Sequence, residues 1–166
     1  MRILMITLAA VVSLTATGAF AADVCTSLDR GELSVGQSIS LARQQQLMAD
    51  APVGTLHCGR TGCTALAEDG VSYSWRRDGR IVGKKIELSD PSDLPGWRGQ
   101  IDQGLADRLG QATCTAFTLQ EEELDGGYSL KSAPLSTAQG QTIVATLFGR
   151  GEGDDPLTIE MRAVEP

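Results

Sequence analysis

The sequence is poor in what most small enzymes use. Among 166 residues there is one histidine, His57. No G-x-S-x-G elbow is present. A serine nucleophile activated by imidazole would have to rely on His57, whose neighbour is Cys58. A bridged neighbour would hold that backbone and leave little room for a buried relay, so an enzyme built on His57 ranks last. Clustered basic residues are also missing. The 14 Lys and Arg are scattered among 21 Asp and Glu, for a formal net charge of −7. Binding to a phosphate backbone needs concentrated positive charge, so no nucleic-acid partner is expected. After residue 22 no apolar run is long enough for a membrane-spanning helix. The longest, Thr142 to Phe148, has the length of a strand.

What is present begins with an export pattern. Arg2 is the only charge before Asp23. The apolar ILMITLAAVVSL follows it, then TATG and Ala19-Phe20-Ala21. These form a positive start, an apolar middle and a small-x-small cleavage site. Cleavage is expected after Ala21, giving a signal peptide over 1–21 and a periplasmic or secreted product. A lipoprotein needs its cysteine directly after the cut. Cys25 comes later, so lipidation is not expected.

Four cysteines, Cys25, Cys58, Cys63 and Cys114, lie beyond that site. An even count in an oxidising compartment favours disulfides. The stretch HCGRTGC over 57–63 has four residues between its cysteines, so it is not a thioredoxin-type motif. Zinc held by the four cysteines, or by three with His57, is the alternative. Of three possible pairings, Cys58–Cys63 with Cys25–Cys114 is favoured. Gly59 and Gly62 can take positive φ and let the chain reverse between two close sulfurs.

Residues 36–50 read as a helix capped by Ser38, with Leu41 and Met48 on its apolar face and Pro52 beyond its end. Val71, Tyr73 and Trp75 then alternate with polar residues, as in a half-buried strand. Asp78-Gly79 signals a two-residue type I′ hairpin. Counting outward pairs Arg77 with Arg80, Trp75 with Val82, Tyr73 with Lys84 and Val71 with Ile86. Lys84 should lie along Tyr73 with its amine in water. Residues 89–96 read as a junction. Trp97, Ile101, Leu105 and Leu109, at strict i+4, predict a second helix that Ser92 or Asp93 caps and Gly110 stops; Trp97 is expected in the core. Strands follow at about 112–119, 128–132, 141–148 (central) and 157–164, the last with Leu157, Ile159, Met161 and Ala163 facing in.

The order of helix then strands occurs twice, over 22–90 and 91–166, with one shared core expected. The fold class is α+β, an antiparallel sheet with two short helices on one face, and the repeated element order suggests a tandem repeat of architecture. Over residues 33–88 the sequence Leu33-Ser-Val-Gly-Gln-Ser38, a helix, Ala51-Pro52, Tyr73-Ser-Trp75 and Asp78-Gly79-Arg80-Ile81-Val82 resembles the SmpA/OmlA outer-membrane-assembly module. That module is related in architecture to the β-lactamase inhibitor protein. The resemblance implies protein binding in the envelope rather than catalysis, and carries over no functional residues. The lipidated cysteine is absent, and the second half matches only by element order.

Two acidic segments offer carboxylates to a cation. Glu121-Glu122-Glu123 reads as a solvated turn. In the loop 149–156, Glu152, Asp154 and Asp155 could offer oxygen ligands to calcium, although the spacing is not that of an EF-hand. A flexible connector explains this loop as well. The sequence therefore points to an exported, disulfide-stapled, non-enzymatic protein that needs no cofactor. Its partner would be another envelope protein. The alternative is a small metal-binding protein, with calcium at 149–156 or zinc at the cysteines.

Overall fold

Strand alternation and tight turns organise most of the chain into one antiparallel sheet. The computed structural model describes residues 25–121, 127–149 and 156–164. The segment 1–21, expected to be a signal peptide, and the ligand candidates Glu152, Asp154 and Asp155 lie outside them. The strands are β1 (His57–Cys58), β2 (Gly62–Leu66), β3 (Val71–Arg76), β4 (Ile81–Leu88), β5 (Phe117–Glu121), β6 (Tyr128–Ser132), β7 (Leu135–Ser136), β8 (Thr142–Phe148) and β9 (Leu157–Ala163). Their spatial order is β1-β2-β3-β4-β9-β8-β6-β5, with β7 beside β8. The helices are α1 (Leu41–Asp50) and α2 (Gln103–Thr113). The fold class is α+β, as the sequence implies. β8 is interior, between β9 and β6.

One face of the sheet is apolar. Ala65, Tyr73, Lys84, Met161 and Ala145 form one register row across it, and Ile86, Ile159, Leu147 and Leu130 form the next. Leu47 of α1 and Leu105 and Leu109 of α2 belong to the same buried cluster. Gly104 and Gly110 weaken α2 by about 1 kcal/mol each relative to alanine. Burial of Leu105 and Leu109 contributes about 2–3 kcal/mol each and holds it. Thr158 is buried too, although its parity in β9 points the other way.

Both helices start later than expected. Ser40, not Ser38, caps α1 by accepting a hydrogen bond from the Arg43 N–H at 3.2 Å. Residues 36–39 are instead captured by the β3–β4 hairpin. Gly36 N–H donates to Ile81 O at 2.8 Å, and Ile39 N–H donates to Gly79 O at 3.0 Å. The shifted start turns Gln44 and Leu47 inward and leaves Leu41 exposed. Asp102 caps α2, accepting from the Leu105 N–H at 2.6 Å. Gly96 and Gly99, with φ of 79° and 94°, break the helical path before it. Leu94 and Ile101 are nonetheless buried, and Trp97 packs half-buried against the core. Gly110 lies within α2, which ends at Cys114 in the left-handed region with φ of 55°. The following strand therefore starts at Phe117 rather than 112.

The β3–β4 register is partly as counted. Val71 faces Ile86 and Tyr73 faces Lys84. Near the turn it differs. Arg76 N–H donates to Arg80 O, and Gly79 N–H donates to Arg76 O, each at 2.9 Å. The loop is thus Arg77-Asp78-Gly79, with Gly79 at φ of 84°, rather than a two-residue I′ turn. Trp75 then faces Ile81, and a bulge at Val82 restores the register by Ser74–Gly83.

Candidate functional site

Two bridges fix the chain. Cys25 is bonded to Cys114 across 89 residues, and Cys58 to Cys63 across 5. All four sulfurs are consumed, which leaves no thiolate for zinc. Cys58 and Cys63 face each other across β1 and β2. Their loop does not use its glycines as expected, since neither Gly59 nor Gly62 has positive φ. Gly62 is needed for another reason: any Cβ there would overlap the Trp75 carbonyl oxygen.

The long bridge ties the segment 25–35 over the covered face. A polar network then locks it. Lys84 is 2% exposed, and its amine forms an ion pair with Asp29. The same amine donates to Arg30 O at 2.5 Å and Leu33 O at 3.1 Å. This corrects the expected path of the amine to water. Parity did place Lys84 beside Tyr73, but its carboxylate arrives from residue 29, a distant contact that local pattern does not encode. Tyr73 hydroxyl donates to Asp69 Oδ2 at 2.5 Å and accepts from the Leu33 N–H at 3.3 Å.

Burial pulls the Asp69 carboxyl upward. The hydrogen bonds from Tyr73 and from the Glu32 and Val71 N–H groups, with the Lys84 charge, outweigh that and hold it below its ordinary value of 3.8. A lowered folded value gives stability that is present above 3.8 and is lost as pH falls through the lowered one. The melting temperature of the natural protein should exceed that of Asp69→Asn at neutral pH, and the gap should close in strong acid. A gap that stays constant down to about pH 2 would contradict this assignment. Burial, then the Asp69 bond, pushes Tyr73 upward, so its contribution is complete below pH 10.0 and is lost in stronger alkali.

The opposite face of the sheet has a different character. It holds an open concavity of about 690 Å³. Thr64, Ser72 and Ser74 line one side, and Lys85, Glu87, Glu160 and Arg162 the other, with His57 at the rim. The floor is Gly83, opposite Ser74 on β3 and Arg162 on β9. It has no side chain, and a Cβ there would press on the Met161 carbonyl oxygen at 3.3 Å. Lys85 pairs with Glu87 at 2.9 Å and Arg162 with Glu160 at 2.6 Å. Exposed pairs of this kind contribute at most about 1 kcal/mol, so a partner can recruit these charges at small cost.

The serines here are not set up as nucleophiles. Ser74 Oγ shares its hydrogen bond with Thr64 Oγ1 at 2.8 Å. Among the described residues no hydrogen bond joins His57 to a serine, and no three His, Cys, Asp or Glu side chains gather as a metal would require. No helix among them is long and apolar enough to cross a membrane. Sequence reasoning missed the concavity because its residues occupy the polar parity of four strands, positions that read one at a time as solvated. No family model, curated protein or solved structure matches this chain.

Proposed function

We propose that this chain is an exported, non-enzymatic protein-binding module that takes its partner on the open face of the sheet. The observation that carries the reading is the hollow floored by Gly83. It is a concave surface with bare backbone at its base, weakly paired charges on one wall and hydroxyls on the other. A hollow of this kind suits a protruding loop or side chain of a protein. The SmpA/OmlA-type order of elements over 33–88 points the same way, and two disulfides suit an oxidising envelope compartment.

The test is Ser74→Tyr, which fills the floor from the solvent side. Oxidised natural protein, used as bait in envelope extract, should retain a partner that the variant does not, with the two melting alike. Equal capture by both would remove the open face as the binding surface.

A further inference from the structure

The basic residues, scattered in sequence, are gathered by the fold. Gly62 pairs with Arg76, and the Arg77 N–H donates to Thr61 O at 3.3 Å. Arg76 N–H donates to Arg80 O, and Arg162 sits opposite Gly83. Arg60, Arg76, Arg77, Arg80 and Arg162 therefore share one end of the β2-β3-β4-β9 region. Among the described residues no carboxylate forms an ion pair with Arg60, Arg77 or Arg80, and Arg80 rests on Gln141 Oε1 at 2.7 Å. Arg162 leans on Glu160, but its side chain is 74% exposed. The far end of the β2–β3 hairpin is the reverse. There Glu68 and Asp69 lie in a small hollow with Glu32 and Asp50. Asp78, in the same turn as Arg77, accepts from the Arg80 N–H at 3.0 Å. The arginines still outnumber the carboxylates at their own end, so a protein of net charge −7 carries a locally positive end.

We infer that the partner presents an acidic chain segment, which enters the open face at the end marked by Arg60, Arg77, Arg80 and Arg162. This rests on the open face being the binding surface. Guanidinium groups match carboxylates with paired hydrogen bonds, and complementary fields speed encounter. Shape favours a peptide segment over a bilayer. Arg162 lines the hollow itself, where an extended chain reaches and a flat membrane surface does not.

The experiment uses the oxidised protein and a fluorescein-labelled dodecapeptide of alternating Glu and Gly. Vesicles of phosphatidylglycerol with phosphatidylcholine are run in parallel. The peptide should bind at low salt and weaken as salt rises. Arg60→Glu and Arg77→Glu should each weaken it by about fivefold, and Arg98→Glu, an equal charge change elsewhere, by less than about twofold. Absence of peptide binding, equal losses in all three variants, or binding to the vesicles alone would overturn the inference. The two readings fail separately. If Ser74→Tyr abolishes partner capture while Arg60→Glu and Arg77→Glu leave it intact, the face stands and the acidic partner falls. If the charge variants lose the peptide while Ser74→Tyr captures normally, the face itself is wrong.

Discussion

Asp29→Asn should lower the unfolding free energy by about 2–3 kcal/mol, more than loss of any exposed ion pair in the molecule. The reason is asymmetry between the partners. The Lys84 side chain is fully buried, whereas that of Asp29 is 33% exposed. Replacing the carboxylate by an amide strands an ammonium that cannot reach water, with neutral oxygens such as the Arg30 and Leu33 carbonyls as its hydrogen-bond acceptors and only the more distant field of Asp69 as counter-charge. The full cost of breaking a buried pair is about 3–5 kcal/mol, and the partial exposure of Asp29 reduces it. Lys84→Met should cost less, about 1–2 kcal/mol, because Asp29 can turn to solvent and only two carbonyls lose a donor. Urea melts of both variants check the order. A greater loss in Lys84→Met than in Asp29→Asn would show that the amine stabilises the fold more than it burdens it.

Removing the long bridge should have the larger effect still. On the chain-entropy relation, closing 89 residues contributes about 4.6 kcal/mol and closing 5 about 2 kcal/mol. Cys25→Ser with Cys114→Ser should therefore lose about 2.6 kcal/mol more than Cys58→Ser with Cys63→Ser. The position of Cys114 adds a refinement. It ends α2 in the left-handed region, which costs an ordinary side chain about 1–2 kcal/mol and glycine almost nothing. Once the bridge is gone, glycine at 114 should recover about 1 kcal/mol relative to serine. Denaturant melts of the three double variants decide. Equal midpoints for the two bridge deletions would mean that residual structure in the unfolded chain cancels the loop-length effect.

The sequence was most legible where periodicity is local. The inward residues of β3 and β9 and the apolar stripe through Ile101, Leu105 and Leu109 lie in the core as read, and the reversal at Asp78-Gly79 is where it was expected, although its type is not. Errors arose where a distant backbone competed. Residues 36–39 have helical company but bond to Ile81 and Gly79, so α1 begins late. The one-residue shift at the Arg77-Asp78-Gly79 turn is undone by the bulge at Val82, so the far end of the hairpin, Tyr73–Lys84 and Val71–Ile86, counts correctly while the pairs next to the turn do not. β2 was missed because Gly62 to Leu66 is short and follows a turn. The candidate site was the least legible part. Its hydroxyls and charges sit on β2, β3, β4 and β9, and only the pairing of β4 with β9 brings them together.

The weaker bridge has its own consequence for the order of oxidation. A chain made from its N-terminus presents Cys25, Cys58 and Cys63 well before Cys114. Three thiols are then available, and two of their three pairings are wrong. Contact between Cys58 and Cys63 needs closure of only a short loop, on the order of tens of nanoseconds. Cys25 must close a far longer loop to reach either one, at greater entropic cost. The hairpin of β1 and β2 also sets the two near cysteines opposite each other. Early sealing of this pair takes the competitors out of circulation and leaves Cys25 a single remaining mate. The bond that adds least to the finished fold is thus the one that guards the fidelity of the bond that adds most.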